Sequence, residues 1–213
     1  MNPYTLPTDL PWIKKVYPGW GTLIEKMTDP RLLKAQDLKR ILGISYRQLN
    51  DWEKERGILK SRSDGQSPEK GSSWRRFSIL DLIILGIITE AKKRSIPVTK
   101  LQEVMGDIYL SQFMVFDAFP GVVYGLELFF VTNLEDSFAY LCADRTEPMV
   151  KIPILQPRGI QTLVIIPMSP IIDHVFESLG HPDFEAIKKP GGGYSFKIKG
   201  VPLALEDLPK KED

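Results

Sequence analysis

The chain has 213 residues, 43% of them hydrophobic, with one cysteine and a formal net charge of +1. That length supports one medium domain or two small ones, and the overall charge points to no partner. The single thiol, Cys142 in "FAYLCA", excludes an intrachain disulfide and reads as a buried, inert group.

The charge is unevenly spread. Residues 31–100 hold 16 Lys and Arg against 8 Asp and Glu, whereas acids outnumber bases from 103 onward. Such asymmetry is expected of a basic segment for a polyanion joined to an acidic domain. The start, "MNPYTLPTDLPW", lacks a basic region followed by an apolar core, so no signal peptide is read. The longest apolar run, "LIILGII", is too short to span a bilayer. The expectation is a soluble, cytoplasmic protein with no membrane contact.

In chain order, residues 1–32 read as an irregular arm packed by Trp12, Tyr17 and Trp20, with a possible short helix in "GWGTLIEKM". In "LKAQDLKRILG", Leu38, Ile41 and Leu42 share one helical face, and Gly43 suits the left-handed end of a helix. A second helix restarts at once. Ser45 and Gln48 form a Ser-x-x-Gln capping box. Two short helices joined by a tight glycine turn make the helix-turn-helix pattern.

On the second helix, Leu49 and Trp52 face inward, while Tyr46, Arg47, Asn50 and Lys54 fall on the other side. A groove-entering helix carries its base and phosphate contacts in its first turns. Arg presents a fork to guanine or phosphate, and Asn pairs with adenine. These residues alone also fit an ordinary solvated face, and both readings stand at this point. After Gly57, "ILKSR" and "SWRRFS" flank a Gly/Ser/Pro-rich middle, as in a hairpin with a long tip. Two helices follow, the first capped by Ser78 and ending in "KKR", the second with Thr99 in its first turn.

This order resembles the MerR-type DNA-binding domain, a winged helix-turn-helix. "LGISYRQLNDWEKERGIL" is similar to the family's first block through Gly43, Ile44, Ser45, Arg47, Leu49, Trp52, Glu53, Gly57, Ile58 and Leu59. "WRRFSILDL" matches the end of the wing through Trp74, Arg75, Arg76, Phe77, Ser78 and Asp81, and "KKRSIPVTKL" the junction of helices three and four. The resemblance covers residues 33–105.

It implies a homodimer on double-stranded DNA, with recognition helix 45–56 in the major groove and wing 58–78 on the backbone. The residues expected at DNA are Tyr46, Arg47, Asn50, Lys54, Arg62, Trp74, Arg75 and Arg76. Arg47 and Asn50 would face bases, and Lys54, Arg62, Arg75 and Arg76 phosphates. The chain departs from the family pattern at Asn50, where arginine is frequent, at Phe77, where tyrosine is usual, and at Lys39, where alanine is usual. Only "GDIYLSQFMVFDA" precedes the breaker "DAFPG", about three helical turns. Dimerisation would use that segment, the arm or the C-terminal part rather than a long coiled coil.

Beyond 117–121 the pattern changes. "LELFFVT", "SFAYLCA" and "QTLVIIPM" read as strands, "SPIIDHVFESLG" as a helix capped by Ser169, and "GGGYSFKIKG" as a turn and strand. The fold class expected is α+β: a mostly helical winged helix-turn-helix domain (33–114) followed by a small α+β domain (115–208). The latter would bind an effector, dimerise or dock a partner. Its aromatics, Phe129, Phe130, Phe138, Tyr140, Phe176, Tyr194 and Phe196, read as core.

No catalytic constellation stands out. G-x-S-x-G is absent, and "KPGGGYSFK" lacks the Lys-Ser/Thr pair of a phosphate cradle. His174 and His181 lie about 10 Å apart if helical, too far to share a zinc. No metal, cofactor or enzymatic activity is expected. The expected function is sequence-specific transcription regulation. The alternatives are an architectural or excisionase-like DNA-binding factor, and a protein-interaction or ligand-binding protein that no longer binds DNA.

Overall fold

The computed structural model describes residues 20–29, 32–52, 76–98, 127–133, 138–143, 163–190 and 192–199, with backbone only at 20, 127–133, 138–143 and 163–164. The elements are α1 (Trp20–Thr28), β1 (Leu33–Lys34), α2 (Ala35–Leu42), α3 (Tyr46–Asn50), β2 (Arg76–Phe77) and α4 (Ile79–Lys93). They continue as β3 (Glu127–Asn133), β4 (Phe138–Ala143), β5 (Leu163–Pro167), α5 (Ser169–Ser178), β6 (Phe184–Lys188) and β7 (Tyr194–Ile198). Helix and strand are mixed, and the sheets are small. The breaker at 117–121, the segment 106–118 and Thr99 lie outside the described residues.

Helix α4 forms the centre. Its sequence, "ILDLIILGIITEAKK", buries residues on every side from Ile79 to Ile88. A helix that is apolar all round must be surrounded, and here α1, α2, α5 and β5 all pack on it. Its first turn is buried too. Ser78 Oγ accepts from the Asp81 amide at 3.1 Å, and Asp81 Oδ2 accepts from the Ser78 amide and hydroxyl, each at 2.7 Å. This reciprocal cap satisfies amides that would otherwise be orphaned at the helix start.

β1 and β2 pair antiparallel, Leu33 opposite Phe77 and Lys34 opposite Arg76. Phe77 is buried, so the position where the resembled family has a tyrosine hydroxyl points into the core here. The segments expected as strands at 126–132, 137–143 and 161–168 form one antiparallel sheet in the order β4-β3-β5, with observed bounds 127–133, 138–143 and 163–167. Cys142 lies opposite Leu128 in that ladder. β6 and β7 make a separate hairpin. β6 was not expected from the sequence.

Helix α5 begins one residue earlier than expected. Met168 is its cap residue, Ser169 its first helical residue and Pro170 its second. Proline suits that first turn because no intrahelical donor is lost there. Ile171, Ile172, Val175 and Phe176 are buried. Phe176 meets Tyr194 and Phe196 edge-on, at centroid distances of 5.0 and 5.4 Å. Three of the aromatics read as core are therefore in the core.

α5 also packs on α2 and α4. The contact with α4 is close: a Cβ added to Gly86 would lie 2.5 Å from Ile171 Cγ2. Only glycine lets the two helices approach this far. Buried apolar residues from Leu23 to Ile198 form one continuous cluster.

Candidate nucleic-acid interface

The candidate site begins with a turn. Gly43 takes φ 68°, ψ 11°, and its amide donates to Lys39 O at 3.0 Å. Two residues on, the Gln48 amide donates to Ser45 Oγ at 3.2 Å and the Ser45 amide to Gln48 Oε1 at 3.0 Å. The expected capping box is formed. α3 is then held from beneath by Ile44, Leu49 and Trp52, all buried. The backbone is still helical at Asp51. Lys92 Nζ lies 5.9 Å from the centroid of the Trp52 ring, a cation–π contact that ties α3 to the end of α4.

The other face of α3 is open. Tyr46 is 57% exposed and Arg47 is exposed. Asn50 is placed differently from Tyr46 and Arg47. It is half-buried, and its Oδ1 is covered with no hydrogen-bond partner among the described residues. Bidentate pairing with adenine needs both amide atoms at the surface, so Tyr46 and Arg47 are better placed than Asn50. Arg76 is exposed at β2. Lys54, Arg62, Trp74 and Arg75 lie outside the described residues.

Burial sorts the charges by sign. Between 32 and 98, every described Lys and Arg is exposed: Lys34, Lys39, Arg40, Arg47, Arg76, Lys92, Lys93 and Arg94. The described acids of that stretch, Asp37, Asp51, Asp81 and Glu90, are buried or half-buried. Asp37 accepts from the Lys34 amide at 2.9 Å, Asp81 serves the cap of α4, and Glu90 accepts from Lys93 at 2.6 Å. Positive charge therefore dominates the solvent side. Lys34 and Arg76 stand directly opposite each other on the β1–β2 ladder, a like-charge pairing that disfavours the ladder unless an anion lies between them.

No sequence pattern announces the joint behind this face. Arg40 of α2 donates to the carbonyls of Ser178 and Leu179 at the end of α5, at 2.5 and 3.0 Å. His174 Nε2 of α5 lies 2.7 Å from Ile41 O at the end of α2. Each helix thus supplies a donor to the unsatisfied terminal carbonyls of the other. His181 Nδ1, by contrast, accepts from the Asp183 amide at 3.1 Å. Among the described residues no cluster of His, Cys, Asp or Glu could hold a metal, and no helix is long and apolar enough to cross a membrane.

No family model, curated protein or solved structure matches the chain.

Proposed function

We propose that the chain is a sequence-specific DNA-binding transcription regulator whose residues 33–105 act as a MerR-like winged helix-turn-helix. The observation that carries this reading is the charge sorting around α3. A rigidly capped helix offers Tyr46 and Arg47 to solvent on a surface whose exposed charges are all basic among the described residues of 32–98. Duplex affinity comes largely from such phosphate-neutralising cations, and specificity from the few side chains that reach base edges. Arg47 is the residue assigned to base reading, and Lys34, Lys39 and Arg76 to the backbone. The resemblance further implies a homodimer, with the residues beyond 115 carrying an effector or partner function.

The test is selection of a preferred site from a random duplex library, followed by a salt titration of the winner. Arg76→Ala should weaken binding to all duplexes alike and lower the salt slope by about one charge. Arg47→Ala should change the preference among sites. Failure of the full chain to retain any duplex at physiological salt would end this reading and leave a protein- or ligand-binding role. Light scattering of the complex with the selected duplex tests the homodimer.

A further inference from the structure

A cleft of about 420 Å³ lies at the joint of α2, α4 and α5. Its walls are Leu42, Gly86, Pro167, Pro170 and Ile171, and Thr89, Glu90, Lys93, Arg94 and His174 also line it. This volume and this mix of apolar walls with a few polar groups suit a small organic ligand. The charges narrow the class. Glu90 and Lys93 pair with each other at 2.6 Å, which leaves the exposed Arg94 guanidinium as the uncompensated charge among the described residues of the lining. His174, donating through Nε2 to Ile41 O, adds no negative charge. An apolar floor beside an unneutralised guanidinium suits a carboxylate-bearing molecule, because Arg binds carboxylates through two parallel hydrogen bonds.

We propose that this cleft binds a small organic anion with an apolar body, and that its occupant sets the DNA affinity of α3. The second half rests on the DNA-binding reading above; the first does not. The route to α3 is short. Ile41 and Leu42 line the cleft and end α2, and Gly43 and Ile44 alone separate them from the Ser45 cap. Ligand seated against Leu42, Ile171 and Pro170 touches both sides of the joint that Arg40 and His174 hold together. Any difference in its fit between two arrangements of that joint becomes a difference in DNA affinity.

The experiment uses the full chain and three probes, benzoate, 2-naphthoate and decanoate, with the neutral 2-naphthamide as a control. Calorimetry without DNA should show at least one carboxylate binding with a Kd below about 1 mM, and 2-naphthoate binding about tenfold or more tighter than the amide. Arg94→Ala should remove that preference. Thr89→Trp and, independently, Pro170→Trp fill the cleft from half-buried and exposed positions and should each abolish binding while circular dichroism stays unchanged. No binding by any carboxylate, equal binding of acid and amide, or undiminished binding in whichever Trp variant folds would overturn the site. With the selected duplex, a saturating carboxylate should shift DNA affinity by about fivefold or more. An unchanged affinity with the cleft occupied would overturn the regulatory half alone, and failure to bind any duplex would leave the calorimetric result standing.

Discussion

His174 Nε2 donates to the main-chain oxygen of Ile41 at 2.7 Å, while Arg40, the residue before Ile41, donates to the last carbonyls of the helix that carries His174. This crossed pair joins residues more than 130 positions apart in the sequence. It fixes the end of α2 just ahead of the turn into α3.

Replacing His174 by Ala should cost about 1 kcal/mol of stability, the worth of one partly buried hydrogen bond. Arg40→Ala should cost a similar amount, reduced by the solvent around its half-exposed side chain. Urea denaturation of the two single variants and the double variant measures both losses. A coupling energy between them distinguishable from zero identifies the pair as one joint rather than two separate caps.

Gly86→Ala should destabilise the protein by about 1–3 kcal/mol, although alanine is the better helix former, because the new methyl meets Ile171 Cγ2 at 2.5 Å. Ile171→Ala removes the atom in the way. The double variant should therefore lose less than the sum of the two single losses. Additive losses would show that the two helices do not press on each other at this point.

Asp81→Ala should cost about 2 kcal/mol, because it removes the carboxylate oxygen that accepts from the buried Ser78 amide and hydroxyl at the start of the central helix. Thermal unfolding followed by circular dichroism reads the loss. A change within about 0.5 kcal/mol would mean that other groups take over the cap.

Local chemistry explains which parts of this structure were legible in the sequence. Gly43, Ser45 with Gln48, and Ser78 all act within four residues of themselves, so their spacing alone announces the caps. Leu49 and Trp52 likewise show their burial by helical periodicity. β6 was missed because "FEAIK" offers only two large apolar residues, and its pairing with Tyr194–Ile198 comes from the turn that follows it. The covered amide of Asn50 was missed because helical spacing assigns a direction, not what stands in that direction. Nothing in the helices' own sequences tells that α5 lies against α2 and α4, since an apolar stripe states that a partner exists and leaves it unnamed.

Arg76→Glu should separate stability from binding. It turns the Lys34–Arg76 pair into opposite charges across the ladder and should raise stability by a few tenths of a kcal/mol, about the value of an exposed cross-strand pair. On the proposed function, the same change should weaken duplex binding strongly, with a smaller salt slope. Denaturation midpoints and duplex titrations that move in the same direction would remove these two residues from the interface.

Alkaline pH should expose the anchor of α5. Burial, with the hydrogen bond to Asp173 at 2.6 Å and the charges of Asp173 and Glu177, pushes the Tyr194 hydroxyl well above its ordinary value of 10.0. The folded chain keeps that proton at a pH where the unfolded chain has released it, so folding is favoured below 10.0 and less so as the pH rises above it. The stability difference between the native protein and Tyr194→Phe should be flat up to about pH 10 and shrink beyond it. A difference that stays constant across that range would remove Tyr194 as the titrating group.

The central position of α4 bears on any attempt to cut the chain. Its flank at Gly86 is roofed by Ile171, and β5 leans on it as well. A fragment stopped before residue 163 would lay that greasy strip bare to water. Such a piece should stick to itself at lower concentrations than the uncut polypeptide, so the half that carries Arg47 depends on the half that follows it to keep that strip dry.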